Sequence, residues 1–325
     1  MNNNTPCLEV KDLVTNFYTR RGVVHAVRGV SFHVDKGEIL GLVGESGSGK
    51  SVTSFSVLDL VKKPGRVEGG EIYFQGNDIR NISKEEKRKL RGNHISMIFQ
   101  EPLAALNPAY TIGWQIKEIF KLNGIKDKEE LRKRTIEILE KVKLPSPEQR
   151  MNEYSYQFSG GMRQRALIAI ALAAKPELLF ADEPTTALDV TVQAEILDLL
   201  QSLQKDFGMS VVFVSHNLNL VGERCNRICV MYAGQIVEEA SSEEIFKNPQ
   251  HPYTVSLMQS LPGKDPGKLL KVIPGEICDL STEIKGCAFA PRCYKARPEC
   301  YETDPEIFEV SDKHYSKCHF CERKQ

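Results

Sequence analysis

The octet GESGSGKS, Gly44 to Ser51, sets three glycines around two serines and closes on a lysine and a third serine. Backbone N–H groups of such a loop turn inward around phosphate oxygens, and a helix starting at its end adds partial positive charge. Lys50 is then placed to reach β- and γ-phosphates, and the Ser51 hydroxyl to ligate Mg²⁺. The competing reading is a glycine-rich turn with an incidental lysine. A second cluster is the pair Asp182 and Glu183, closing the apolar run ELLFADE. Asp182 is placed to hold Mg²⁺ or its water shell, and Glu183 to polarise an attacking water. A general base of that kind contributes roughly 10²–10⁴-fold. A third cluster is FSGGMRQR, Phe158 to Arg165, where Ser159, Gly160 and Gly161 open a helix. That start seeks anions as well, although alone it reads better as an ordinary serine N-cap. Two anion-seeking helix starts in one chain imply that two copies clasp one nucleotide between them.

These residues need strands and helices to carry them. GEILGLVG, Gly37 to Gly44, is a near-continuous apolar strand of the kind buried on both faces of a parallel sheet. It runs straight into the glycine loop, and a helix is expected from Lys50. HISMIFQ (His94 to Gln100), ELLFADEP (Glu177 to Pro184) and SVVFVSH (Ser210 to His216) read as further buried strands ending in polar residues. Leu8 to Val14 and Val27 to Val34 alternate as half-buried strands do. Lys84 to Leu90 and the span from about 111 to 150 read as charged, amphipathic helices. RICVMYAGQIVEEA reads as a hairpin turning at Ala233–Gly234. ALIAIALAA, Ala166 to Ala174, is too short to span a bilayer and reads as a buried helix. Composition shifts to Pro, Gly and Cys near Phe246 to Pro252, which predicts a division into residues 1–250 and 251–325.

The chain is balanced at 43 Lys plus Arg against 43 Asp plus Glu, so its charge gives no support for a nucleic-acid partner. The start MNNNTPCLEV has neither basic residues nor an apolar run, which predicts a chain that stays in the cytosol with reduced thiols. Nine cysteines there favour metal binding or plain buried thiols. Cys287, Cys293, Cys300 and Cys318 have the spacing C-x5-C-x6-C-x17-C. Zinc sites favour close Cys-x2–4-Cys pairs, and only Cys318 and Cys321 stand so. Four thiolates at open spacing suit an iron–sulfur cluster, in which each iron takes its own thiolate. Zinc and unligated thiols stay open as alternatives. Cys7, Cys225, Cys229 and Cys278 read as small apolar residues.

The phosphate loop, SGGMRQR, LLFADEPTTALD and VFVSH, in that order, resemble the ATP-binding subunit of an ABC transporter. The resemblance implies a RecA-like α/β core with an antiparallel β subdomain, an inserted helical subdomain at about 101–157, and a small irregular C-terminal metal-binding domain. It implies that Gly44, Glu45, Ser46, Gly47, Ser48, Gly49, Lys50, Ser51 and Val52 bind ATP, with Ser51, Gln100 and Asp182 on Mg²⁺. Gln100 touches the attacking water and relays to membrane subunits, Glu183 is the base, and His216 hydrogen-bonds the γ-phosphate. Ser159, Gly160 and Gly161 face the nucleotide of the opposite subunit, Asp189 crosses the dimer interface, and Phe17 or Tyr18 stacks on adenine. Phe158 and Met162 depart from the family's usual Leu and Gln, and TTALD from its commoner TSALD.

VGESGSGKS, IFQEPLAALNPAYTIG, VMYAGQIVE and HPYTVSLMQSLP narrow the resemblance to the oligopeptide and dipeptide importers. That branch carries a GC–F–PRC–C–CH tail binding a 4Fe–4S cluster, which maps to Cys287, Cys293, Cys300 and Cys318 and leaves Cys321 spare. The implied partners are a second ATP-binding subunit (paralogue or copy), two transmembrane permease subunits and, indirectly, an external solute-binding protein. The implied place is the cytoplasmic face of the membrane. Nickel or another small solute is an alternative cargo. A soluble ABC ATPase of repair, translation or iron–sulfur assembly is the alternative class. A tail so poor in apolar periodicity is expected to need a cluster as a staple. Its loss should leave ATP chemistry alone, because every implied phosphate contact precedes Asn217.

Overall fold

The computed structural model describes residues 5–186, 188–260 and 272–321. Ala187 of TTALD and Leu261 and Pro262 of HPYTVSLMQSLP therefore lie outside the described residues. The chain forms two compact units, one from Met1–Val34, Glu38–Asn81 and Phe213–Gln325, the other from Asp35–Gly37 and Ile82–Val212.

The first unit holds an antiparallel sheet in the order Gly22–Val34, Leu8–Thr19, Gly65–Phe74, Asn77–Asp78. Gly65–Phe74 is absent from the sequence reading because Gly69 and Gly70 interrupt its alternation. The interruption is a pairing irregularity. Gly70 sits at φ +97°, and a Cβ there would come within 2.6–2.7 Å of the Lys11–Leu13 backbone. The unit's other strands run in the order Phe308–Ser311, His314–Ser316, Gln235–Ser241, Arg227–Tyr232, Ile39–Val43, the last two parallel. Every residue of Ile39–Val43 is buried, as its continuous apolar run requires. Burial of each Leu, Ile or Val there stabilises by roughly 1.5–3 kcal/mol.

The C-terminal segment packs within the first unit, where Glu238 pairs with Ser316 and Glu239 with Tyr315. The His314 Nε2 lies 2.7 Å from Glu238 Oε1, both side chains fully buried. Glu238 also accepts the Gln250 and His251 N–H groups at 2.6 and 3.0 Å. Sheet pairing and this buried pair therefore hold the tail. Its strands of four and three residues are too short to show a period.

The second unit pairs Ile95–Ile98 with Leu178–Asp182 in parallel, from Ile95↔Leu178 to Ile98↔Ala181. Its helices begin where the sequence caps them. Ser83 and Glu86 make a reciprocal capping box for Lys84–Asn93. Thr111 caps Ile112–Leu122, and Asp127 caps Lys128–Lys141. Gly160–Leu172, bearing the apolar run, buries Ala166, Leu167, Ile168, Ala169, Ala171 and Leu172. Among the described residues no helix is long and apolar enough to cross a membrane.

Candidate functional site

In the first unit, the fully buried strand Ile39–Val43 delivers the chain to Gly44. A Cβ at Gly44 would lie 2.2 Å from the Met231 carbonyl oxygen, so only glycine fits. Gly49 has φ +102°, and a Cβ there would meet the Ala26 carbonyl oxygen at 2.6 Å. The helix Lys50–Val57 starts directly after it with no side-chain cap, leaving its first N–H groups to the loop's concave side. The Lys50 side chain is drawn inside (5% exposed). Its Nζ donates to the carbonyls of Gly44 and Glu45 at 2.8 and 2.9 Å. The hairpin turn at Ala233–Gly234 supports the loop from outside, as the Gly234 N–H donates to the Ser48 carbonyl at 2.9 Å. Ser46 and Gly47 are exposed, Ser48 is buried, and Ser51 and Val52 are half-buried.

Sequence reasoning missed the partners of Glu45. Arg292 grips its carboxylate with both guanidinium arms, NH1 to Oε2 at 2.7 Å and NH2 to Oε1 at 3.1 Å. The Tyr253 hydroxyl accepts the Glu45 N–H at 2.9 Å. The tail therefore touches the phosphate loop through Arg292 and Tyr253. No sequence signal links residues 247 and 208 positions apart.

His216 is exposed at the end of Ser210–Ser215, and the next residue, Asn217, caps a short helix. The two candidate aromatics differ. The Tyr18 hydroxyl donates to Glu68 Oε1 at 2.8 Å, and the Arg66 guanidinium stands 5.5 Å from its ring centre. The half-buried Phe17 ring lies against Gly65, where an added Cβ would touch it at 2.7 Å.

In the second unit, Asp182 ends Leu178–Asp182 and is buried. Glu183 follows with φ +44°, a left-handed conformation rare for a side chain of this size. Such backbones cost about 1–3 kcal/mol and gather at functional sites. The Glu183 Oε2 accepts from Gln100 Nε2 at 3.0 Å and from the Thr186 hydroxyl at 2.9 Å. Gln100 and Glu183 are thus brought together, 83 positions apart, and Thr186 is a partner that the sequence reading did not name. Ser159 caps Gly160–Leu172, accepting the Met162 N–H at 3.4 Å. A Cβ at Gly161 would lie 2.9 Å from Val192, and one at Gly160 3.3 Å from Leu188. Asp189 is exposed and caps Val190–Phe207 through the Val192 N–H at 3.0 Å. Phe158 is buried, so its departure from Leu is absorbed by packing.

The four tail cysteines converge. Cys287, Cys293, Cys300 and Cys318 line one cavity with Phe289, Pro305 and His319. Burial pushes the Cys287 thiol up to about 11 and raises those of Cys293 and Cys318. His319 Nε2 lies 3.0 Å from the Thr303 carbonyl oxygen. Among the described residues no three His, Cys, Asp or Glu side chains are grouped as a single metal ion requires. Cys7, Cys225 and Cys229 are buried, and burial raises the thiols of the last two.

Residues 27–186 match the ABC transporter family, and residues 237–300 match the oligopeptide/dipeptide transporter C-terminal region. The oligopeptide transport ATP-binding protein OppD of Bacillus subtilis is 50% identical over 316 residues, 96% of this chain and 88% of that protein. The dipeptide transport ATP-binding protein DppD of Lactococcus lactis is 48% identical over 312 residues, 95% of this chain and 89% of that protein. Among solved structures, the post-hydrolysis dimer of the ATP-binding cassette MJ0796 bound to ADP and Pi has a TM-score of 0.65 at 30% identity. It covers 72% of this chain and 98% of that one.

Proposed function

This chain belongs to the ABC transporter ATP-binding family, and from that membership we propose that it is the ATP-hydrolysing subunit of a peptide importer. The observation that carries the catalytic part is the phosphate loop, with a buried strand before it, a helix after it and Lys50 drawn inside. In this reading the loop N–H groups and Lys50 hold the β- and γ-phosphates. The donor set of Ser51, Gln100 and Asp182 is a hydroxyl, an amide and a carboxylate, the hard oxygen ligands that Mg²⁺ takes. Mg²⁺, when bound there, neutralises charge on the phosphates. Glu183 accepts the proton of the attacking water, held in place by Gln100 and Thr186. His216 donates to the γ-phosphate. Phe17 is the aromatic that stacks on adenine, because Glu68 and Arg66 engage Tyr18 elsewhere.

The relatives named for oligopeptide and dipeptide transport support peptides as the cargo class. The dimeric cassette bound to ADP and Pi supports a site completed by Ser159, Gly160, Gly161 and Asp189 of a second subunit. Tyr110 and Trp114, exposed and stacked on one another in the second unit, offer an apolar contact for a membrane partner. In this reading the protein works peripherally, at the cytoplasmic face of the membrane, with two permease subunits and an external binding protein. The C-terminal extension is taken to begin near residue 251.

For the tail we favour a 4Fe–4S cluster held by Cys287, Cys293, Cys300 and Cys318. Four thiols lining one cavity support this reading. The cluster, when bound, would cross-link the loops that carry these cysteines.

Two measurements test the function. The purified chain should hydrolyse Mg-ATP, and Lys50→Ala should abolish that. Cells lacking the chain should lose uptake of labelled di- or oligopeptides and regain it with the wild type but not with Lys50→Ala. Unchanged uptake in the deletion strain overturns the peptide assignment. Hydrolysis that survives Lys50→Ala overturns the catalytic one.

A further inference from the structure

We propose that Arg292 is a positioning residue of the phosphate loop, neutralising Glu45 and anchoring a glycine-rich segment that would otherwise have to be ordered by its ligand. The inference rests on the reading that this loop binds nucleotide phosphate.

Glu45 is the loop's one acidic residue and stands next to Gly44. A carboxylate so close to bound phosphate repels it unless paired. Arg292 pairs it through two parallel bonds, the strongest geometry available to a carboxylate. The contact is sheltered, with the side chains 6% and 26% exposed. Arg292 is itself held: Nε donates to the Pro274 carbonyl at 2.9 Å, and the guanidinium lies 5.8 Å from the Tyr232 ring centre.

The anchoring matters because of what lies between. Gly47 and Gly49 have φ values of +81° and +102°, and glycines lose more conformational freedom on ordering than other residues. The Glu45 side chain goes to Arg292, its N–H to Tyr253 and its carbonyl to Lys50. One residue thus ties the loop's first turn to the tail and to its own lysine. Preorganising a loop raises affinity by removing the ordering cost from the binding step.

The same residue adjoins, in sequence, Cys293 of the cysteine-lined cavity. Arg292 closes the turn Ala290–Arg292 and is bonded in sequence to Cys293. Phe289 lines the cavity and packs on Tyr232 and Tyr253, at ring-centre distances of 5.2 and 5.3 Å.

The test uses the full chain with Mg²⁺ and trinitrophenyl-ATP as the probe. Arg292→Gln should raise the Kd about tenfold, because the ordering and repulsion costs both fall on binding. The kcat at saturation should stay within about twofold, since no group that touches the reacting atoms has changed. Adding Glu45→Gln should return the Kd to within about threefold of wild type, because two neutral amides still hydrogen-bond and the repulsion is gone. An unchanged Kd in Arg292→Gln, or single effects that simply multiply in the double variant, overturns the proposal. Hydrogen exchange of the loop amides reads the anchoring without nucleotide and should quicken in Arg292→Gln. If that variant does not fold, Glu45→Ala makes the same test from the loop side, and unchanged loop exchange there overturns the idea. A wild-type chain that binds no nucleotide while Arg292→Gln still quickens loop exchange overturns the functional reading and spares the anchoring.

Discussion

Replacing Glu183 by glutamine separates the chemistry of the carboxylate from its place in the fold. Its Oε2 receives two hydrogen bonds, from Gln100 at 3.0 Å and from Thr186 at 2.9 Å. A glutamine amide oxygen accepts both equally well, and the side-chain volume is nearly the same. The left-handed backbone, φ +44°, costs the same in either residue. The fold should hardly register the change, and the midpoint of thermal unfolding should move by less than about 1 °C, the shift for roughly 0.5 kcal/mol in a chain of this size. What disappears is a group able to take a proton. A general base contributes roughly 10²–10⁴-fold, which at 1.36 kcal/mol per decade is about 2.7–5.4 kcal/mol of barrier. The assay is single-turnover hydrolysis of Mg-ATP with enzyme in excess, beside nucleotide binding at equilibrium. Binding should be retained, the rate should fall at least about a hundredfold, and an ATP-bound dimer should accumulate. A rate within tenfold of wild type in a normally folded variant would refute Glu183 as the base. An equal fall in rate and in thermal stability would instead point to a structural carboxylate.

Gly49→Ala should destabilise the chain by about 1–3 kcal/mol and weaken ATP binding, because φ +102° and a carbonyl oxygen 2.6 Å from the new Cβ leave no relaxed position; calorimetry and nucleotide titration check both. If the chain assembles with itself, Ser159→Arg and Lys50→Ala proteins should each be inactive, and mixing them should regain hydrolysis by rebuilding one site from two intact faces. No recovery from such a homodimer at any ratio counts against a shared site. Protein purified without oxygen should carry iron and acid-labile sulfide, about four of each per chain, and Cys293→Ser should lose both; one zinc per colourless chain would replace the cluster by a zinc site. His314→Ala should loosen the C-terminal strands and cost about 1–3 kcal/mol, the loss expected when a buried acceptor such as Glu238 loses one of its hydrogen-bond partners. Limited proteolysis of the tail, set beside the global unfolding midpoint, reads that effect.

The phosphate loop was legible because its requirements are local. Gly44 and Gly49 stand where a Cβ would strike backbone oxygen, and an apolar strand and a helix flank them in sequence. Asp182 and Glu183 were legible for the same reason, as polar residues ending a run that is otherwise wholly buried. The strand Gly65–Phe74 was not, because its glycines answer to the Leu8–Thr19 backbone rather than to a period of its own. The bonds of Gln100 and Thr186 to Glu183, and of Arg292 and Tyr253 to Glu45, were also not legible. Spacing and the family resemblance together picked out Cys287, Cys293, Cys300 and Cys318 as a group, but only the fold shows that they line one cavity. Sequence by itself determined which backbone conformations and burial patterns each short segment can adopt, because sterics and alternation act over a few residues. Tertiary structure decided which distant side chains meet, because that depends on the path of the whole chain between them.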